Sequence, residues 1–550
     1  MGKRRGGILC AVLLGDSFYT EEKVKELYRV AGIGHLLAIS GLHISFFGNG
    51  LYRGLRKTGF SILQAGVVGS LLLGSYVVMT GMSVSALRAF TMFLIRMGAE
   101  LTGREYDGLT ALGIAEIGLL LANPLRLFTA GFQLSFAAVL GIYLIGSGNK
   151  KGRFSDSVRM SVRLWFFLLP VTLWHYYETC LYAPAWNLLV IPMASVLLLC
   201  GSAGMAVMLI PCGAGDIMQS ALWKITEWIL LFYEKGSGLL LEFPGARWIP
   251  GRPRLWQIAC YYGVLLFYLW RKRKEKKEGR QTGKQVVRQL VTAGILLILL
   301  GIPKWKRGQM ELTMLDVGQG DGLVLRTPEG NCFLVDGGST NKSGVGQYQV
   351  LPYLKNQGIS QIDGIFISHT DQDHINGVTE VLEEGKKGWL TVKNLMYPYW
   401  MEGTEQGKQL KKLAEEAGAV CRKIRAGDRL TIGKAEAVVL YPKEQEKIAE
   451  PNAGSLVLFW KWEGVRAMFT GDLPEEKERE LLQNLPACEI LQVGHHGSAT
   501  STCREFLEQV QPSLAVISCA MKNRYGHPSP DTVDRLKKTG CEIRYTMKSG

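Results

Sequence analysis

The chain has 550 residues, 47% of them hydrophobic, and a formal net charge of +15. That length leaves room for about three or four domains of average size. The eleven cysteines are scattered from Cys10 to Cys541 with no Cys-x-x-Cys pair, which argues against a disulfide framework and a cysteine-based zinc module, and no Gly-x-x-x-x-Gly-Lys-Ser/Thr loop marks an ATPase.

Residues 1–35 open with "MGKRRGGILCAVLLGD", whose apolar stretch is short and lacks a small-residue cleavage site, so it reads as an N-terminal segment rather than a signal peptide. From residue 36 the chain is apolar with few charges. A membrane helix needs roughly 20 mostly apolar residues. Spans are predicted at about 36–52, 60–80, 84–99, 107–122, 128–147, 164–181, 186–211, 219–240, 255–270 and 287–302. Lys224, Glu227, Glu234 and Lys235 suggest that 219–240 is an amphipathic helix lying in the interface, and 186–211 is long enough to fold as a hairpin. The prediction is a polytopic α-helical membrane domain over residues 36–305.

Short basic loops mark the cytoplasmic side of a membrane protein. The clearest is 271–288, with Arg271, Lys272, Arg273, Lys274, Lys276, Lys277, Arg280, Lys284 and Arg288; "GNKKGRFSDSVRMSVR" at 148–163 and the trio Arg53, Arg56 and Lys57 are the others. With ten spans, all three fall on one side, and the soluble remainder emerges outside the cell. Polar groups within the spans are costly and usually line a pathway or pair internally. "GIGHLLAISGLHISFF" carries His35, Ser40 and His43, "GMSVSALRAF" carries Arg88, and "AGFQLSF" carries Gln133 and Ser135. Either a conducting path or plain helix–helix hydrogen bonding accounts for them.

Residues 306–550 alternate charged and apolar residues as a soluble domain does. "MELTMLDVGQGDGLVLRTPEGNCFLVDGG" predicts a strand and then a hairpin about the "TPEG" turn. "QIDGIFISHT" is another strand, followed by helix-like "GKQLKKLAEEAG", strands "LVLFWKW" and "VRAMFTGD", and helix-like "PEEKERELLQNL". Strand "EILQVG" ends at "HHGS", strand "LAVIS" ends at "YGHP", and "SPDTVDRLKKTG" starts a helix. Strands alternating with helices after an initial run of strands predict two sheets covered by helices. Just past the strand ends stand Asp336, the cluster His369, Asp371, Asp373 and His374, then Asp472, His495, His496 and His527. All five histidines of this part lie in those loops. Taken singly, each loop reads equally well as a capped strand end; together they point to a metal site.

"HTDQDH" resembles the His-x-His-x-Asp-His motif of the metallo-β-lactamase fold, with Asp371 where the second histidine stands, and "LVDGG", "FTGD" and "GHP" resemble that fold's other site loops. "DVGQGD", the His-x-Asp-x-Asp-His variant and "HHGS" are similar to the soluble domain of ComEC-type competence proteins, while "HLLAISGLHISFF", "SALRAFTMF" and "FTAGFQLSFAAVLGI" resemble their membrane domain. The resemblance implies a polytopic membrane domain followed by an αββα metallo-β-lactamase-fold domain over 306–550, in a form lacking the usual N-terminal extension. It implies two divalent metal ions, manganese or zinc. His369 and Asp371 would hold one ion and Asp373, His374 and His527 the other, with Asp472 bridging. His495 or His496 would complete the first ion or donate to a phosphate, and Asp373, His495 and His496 would carry catalysis. No histidine lies between His374 and Asp472, so Asn452, Ser455 or one of His495 and His496 would fill the third-ligand place. Asp321 and Asp336 would orient ligands, Asp316, Gln319 and Ser498 would support ligands or substrate, and "GQG" (318–320) would bring backbone N–H groups near an anion.

The function implied is a channel for transforming DNA with an extracytoplasmic metal-dependent nuclease, which degrades one strand while the other passes inward. Its partners would be single-stranded DNA, membrane lipid, the DNA receptor and ATPase of the uptake machinery, and further copies of itself. The rivals are a membrane-anchored metallohydrolase of a small phosphoester or lipid, and a conduit whose soluble domain has lost catalysis.

Overall fold

The computed structural model describes residues 2–146, 154–208, 213–278, 285–303, 308–444 and 446–549. It divides into two units, Met1–Ile302 and Pro303–Gly550. Parts of two predicted basic loops, 148–153 and 279–284, lie outside the described residues.

The first unit is helical. Its helices Gly41–Lys57, Ile62–Met79, Val84–Leu101, Gly108–Ala122 and Ala130–Ile145 are followed by Phe154–Tyr176, Ala183–Val207, Gly213–Glu242, Leu255–Lys277 and Gln285–Gly301. Each overlaps a predicted span, Gly41–Lys57 starting five residues after 36–52 begins and Phe154–Tyr176 starting ten residues before 164–181. Among the described residues, Ile62–Met79 and Ala183–Val207 are long and apolar enough to cross a membrane, while Gly108–Ala122, Ala130–Ile145 and Val287–Gly301 are apolar but shorter.

One local expectation changes. Residues 183–207 form one continuous helix through Pro192 rather than a hairpin. Of the four charges that suggested an interfacial helix at 219–240, Glu227 and Glu234 pair with Arg5 and Arg4 of the N-terminal helix Lys3–Leu14, each at 2.6 Å. That helix buries Ile8, Leu9, Val12 and Leu13 against Val190, Leu197, Ile229 and Leu230, so residues 1–35 belong to the unit's core.

The second unit contains two sheets. Its six-stranded sheet runs in the order Val420–Ile424, Asn394–Pro398, Gly364–Phe366, Cys332–Val335, Leu323–Arg326, Glu311–Met314. The seven-stranded sheet runs Arg429–Ile432, Ala435–Tyr441, Val457–Trp462, Val465–Phe469, Ile490–Gln492, Leu514–Ile517, Glu542–Tyr545. Side chains alternate across a strand, and one parity from each sheet makes a shared core. Leu323, Leu325, Phe333, Val335, Phe366 and Met396 meet Ala437, Val439, Leu458, Trp460, Ala467 and Phe469. The opposite parity of the seven-stranded sheet, with Phe459, Met468, Leu491 and Ile517, packs on Leu481, Phe506, Leu507 and Leu536 of the covering helices. On the outer side of the six-stranded sheet Val324, Leu334, Ile365 and Leu395 are buried, and the helix Gln372–Gly385 buries Ile375, Val378, Val381 and Leu382. The result is an αββα sandwich.

Trp460 is 1% exposed, with the Phe333 ring centroid 5.4 Å away and that of Phe366 at 6.3 Å. Truncating a buried aromatic costs about 3–5 kcal/mol through lost transfer energy and the cavity left behind. Trp460→Ala is therefore expected to lower the unfolding free energy of the second unit, read from denaturant titration, by that amount; a change under about 1 kcal/mol would show that the two sheets do not share this core.

Candidate metal centre

The loops converge because the strands that precede them are parallel. Cys332–Val335 pairs in parallel with Gly364–Phe366. In the other sheet Val465–Phe469, Ile490–Gln492 and Leu514–Ile517 pair in parallel. Parallel neighbours end at one edge, so Asp336, His369, Asp472, His495 and the 518–527 loop leave their sheets on the same rim. Backbone bonds lock the loops together: Asp321 N–H donates to Asp373 O at 3.1 Å, Gly337 N–H to His374 O at 2.9 Å and Gly338 N–H to Asp321 O at 2.9 Å. The approach is so close that a Cβ on Gly338 would lie 2.3 Å from the Asp373 carbonyl carbon, which is why glycine stands there. Asp336, His495 and His496 hold positive φ values of 53°, 49° and 55°. Such left-handed backbone is uncommon for non-glycine residues and clusters at functional sites.

The side chains form one network. His374 Nδ1 donates to Asp336 Oδ2 at 2.9 Å, and Asp336 Oδ1 accepts from Ser368 N–H at 2.8 Å. That turns His374 Nε2 toward Asp472, 3.3 Å away. His496 Nδ1 donates to Ser518 O at 3.1 Å, which aims its Nε2 at Asp373 (3.5 Å) and Asp472 (3.6 Å). One ligand atom each from Asp373, His374, Asp472 and His496 lies within 4.8 Å of the others. The His369 ring lies tilted 49° to that of His374 with centroids 4.1 Å apart, its Nδ1 2.9 Å from Ser368 Oγ and its Nε2 3.7 Å from Asp371. The half-exposed His495 sits 3.6 Å from Asp472, and its ring centroid is 5.6 Å from that of His527. All eight side chains predicted as ligands or catalytic groups therefore meet in one pocket.

The electrostatics follow from burial. Burial pushes His369 down to about 3 and His527 to about 4. For His374 burial works the same way, but Asp472 and Asp336 outweigh it and hold the ring well above the ordinary imidazole range. Asp472 is the counterpart: His496 and His374 overcome its burial and keep it well below the ordinary carboxylate range. Burial lifts Asp321 to about 6.

The supporting residues divide. Asp336 orients His374, and Ser455 Oγ lies 3.5 Å from His369 Nδ1 while accepting the Asp472 N–H at 3.2 Å, on the side of the ring away from Nε2. Asp321 accepts from Gln492 Nε2, and Gln319 Nε2 lies 3.3 Å from His527 Nδ1. Asp316 instead caps Gly318 N–H at 3.1 Å and pairs with Lys342 at 3.2 Å. Ser498 bonds Thr500 at 3.0 Å, and Asn452 starts a short turn ahead of Ser455; neither joins the cluster. Ser368, Gln492 and Ser518 were not legible beforehand, because their roles come from partners remote in sequence. In the helical unit, Ser40 Oγ caps the helix Gly41–Lys57, and the buried His43 accepts the Ser40 N–H at 3.2 Å. The buried Arg88 donates to Ser135 at 3.0 Å, Gln133 pairs with His175 at 2.9 Å, and His35 is exposed.

Asp321 Oδ1, His369 Nε2, His374 Nε2, Asp472 Oδ1 and His496 Nε2 are buried without a hydrogen-bond partner. Buried polar atoms are nearly always satisfied, and imidazole and carboxylate donors facing one point suit divalent transition ions. The residues fit metal. When bound, such ions polarise a substrate oxygen and activate water.

This sandwich and donor set define a metal-dependent hydrolase of the metallo-β-lactamase fold. The chain matches the Competence protein family over residues 12–275 and the Metallo-beta-lactamase superfamily over 315–520. It is 30% identical to ComE operon protein 3 of Bacillus subtilis (strain 168) across 99% of this chain and 70% of that one. With Competence protein ComA of Neisseria gonorrhoeae the identity is 25%, across 99% of this chain and 74% of that one. The metallo-beta-lactamase fold protein YhfI of Bacillus subtilis superposes with a TM-score of 0.31 at 11% identity, covering 43% of this chain and 96% of that one. The chain belongs to the ComEC family of competence proteins: it is membrane-associated and carries a metallo-hydrolase domain.

His496 gives a pH test. Burial lowers its pKa, but Asp472 and Asp321 outweigh that and push it from 6.5 up to about 9. A raised folded-state pKa contributes stability that is complete below the unfolded value and lost as pH rises through the folded one. Chelator-treated protein is therefore expected to melt at steadily lower temperature from pH 6.5 to about 9, with His374 acting in the same direction. Metal-loaded protein should lack that slope, since ligation requires deprotonated imidazole. Identical melting profiles with and without chelator would count against metal ligation by His496.

Proposed function

We propose that the chain is a multi-pass inner-membrane channel for transforming DNA, whose extracytoplasmic domain is a metal-dependent nuclease that hydrolyses the non-transported strand. The observation that carries the reading is the Asp373–His374–Asp472–His496 cluster in a chain of this family. Apolar side chains such as Leu71, Leu121 and Ile298, at 67%, 82% and 70% exposure, support lipid-facing helices. Basic loops on one side support the orientation. Single-stranded DNA, lipid, and the receptor and ATPase of the uptake machinery are the proposed partners, since no P-loop occurs here to drive transport.

Two ions, manganese or zinc, suit the donor set. His369 and Asp371 would hold one, and Asp373, His374 and His496 the other, with Asp472 within reach of both groups. His496 thus moves to the second group, which leaves the more exposed His495 to donate a proton toward the leaving oxygen. His369 must carry its proton on Nδ1, donated to Ser368 Oγ, for Nε2 to ligate. Asp336 fixes the tautomer of His374 in the same way.

Full-length protein in detergent with manganese is expected to cleave labelled single-stranded DNA. Chelator and Asp373→Ala should each abolish cleavage. Metal binding without cleavage would favour an inactive conduit, and cleavage confined to small phosphoesters would favour the anchored hydrolase. In intact spheroplasts, added protease should digest residues 303–550; full protection would place the domain in the cytosol.

A further inference from the structure

Beside the metal centre is a cleft of about 380 Å³ walled by Gln319, Thr340 and Asn341 on one side and by Lys522, Arg524 and Tyr525 on the other. Nothing in the hydrolytic reaction described above uses it. Its most exposed feature is aromatic. Tyr525 is 47% exposed, and its ring lies within 27° of parallel to that of His527, the centroids 5.7 Å apart. The tyrosine thus extends a flat surface outward from the metal pocket.

Two cations stand on the same loop. Lys522 and Arg524 are both exposed, and neither has a carboxylate partner among the described residues. Arg524 lies 5.0 Å from the Tyr525 ring centroid and donates to its hydroxyl at 2.8 Å. The neighbouring Lys342, by contrast, is neutralised by Asp316.

The loop is also held in place. The Asn523 amide donates to the carbonyls of Ala520 (2.9 Å) and His527 (2.6 Å) and accepts from the N–H groups of Tyr525 (3.1 Å) and His527 (3.0 Å). Gln319 ties the loop to the floor of the site, accepting from Ala520 N–H at 3.4 Å. An exposed ring anchored this way, with cations left without counter-charges, presents a face and two anion contacts at the mouth of the metal pocket.

We infer that this cleft is a nucleotide subsite. Tyr525 stacks on the base next to the scissile phosphodiester, and Lys522 and Arg524 take the flanking phosphates. The inference rests on the phosphodiesterase reading and adds to it the side chains that would hold the single strand beside the metal pocket. A duplex keeps its base faces stacked, and a small phosphoester has no base to offer. Aromatic stacking accepts any base, so sequence preference should be weak.

The test uses full-length protein in detergent with manganese and two strands of about 12 nucleotides, an oligothymidylate and its abasic counterpart. Tyr525→Ala should raise KM for the oligothymidylate on the order of tenfold, Tyr525→Phe should restore it, and KM for the abasic strand should not move. Lys522→Gln and Arg524→Gln should each flatten the log–log salt dependence of binding by roughly 0.7 on both strands. No loss with Tyr525→Ala, or an equal loss on both strands, overturns the subsite. If the parent protein cleaves neither strand, the phosphodiesterase reading fails. Fluorescence anisotropy with chelator present then decides the subsite alone: weaker binding of Tyr525→Ala to the oligothymidylate only supports it, and no difference from the parent overturns it.

Discussion

Burying imidazoles and carboxylates together is the constraint on which the second unit depends. His369, His374, Asp472 and His496 are almost wholly shielded from water, and each keeps an atom with no hydrogen-bond partner. A buried charge is tolerated only when it is paired or ligates a metal. Asp472, set between His374, His495 and His496, balances the charge of the pocket. The same arrangement makes the pocket responsive to protons and to cations, because both compete for the same nitrogen and oxygen atoms.

Holding that network requires backbone that is itself uncomfortable. Three site residues, Asp336, His495 and His496, sit in left-handed conformation, and Gly338 allows the 336–338 turn to press on the Asp373–His374 peptide. The sandwich core provides the rigidity. Phe333, Phe366 and Trp460 interlock the two sheets directly behind the strands that carry Asp336 and His369. The metal loops thus stand on one rim with a dense aromatic core beneath them.

The helical unit shows the same logic with fewer groups. Its buried polar side chains pair across helices, as Arg88 does with Ser135 and Gln133 with His175. Glu178 is held by Arg29 and Arg247 at 3.2 and 2.7 Å beside the short bridge between Thr179–Cys180 and Arg247–Trp248. Helix-to-helix hydrogen bonding thus accounts for several of the residues that the sequence also offers as pathway candidates, while His43 keeps a buried ring nitrogen unpartnered.

Much of this was legible in the amino acids alone. Apolar run length located the helices, and turn signals with period-two alternation located the hairpin at "TPEG" and the strands ahead of "HTDQDH", "FTGD" and "HHGS". The confinement of five histidines to strand-end loops announced the metal pocket. Short strands such as Val420–Ile424, an edge with Arg422 and Lys423 exposed, and Glu542–Tyr545 escaped, because a half-exposed edge carries little hydrophobic pattern. What the tertiary structure alone decided was grouping. His496 rather than His527 stands with Asp373 and Asp472, Asp336 serves His374, and Asp316 turns away to Lys342. Residue type determines what a side chain can bind, but which partners it meets depends on strand register and loop backbone, and these are set by contacts between segments a hundred or more residues apart.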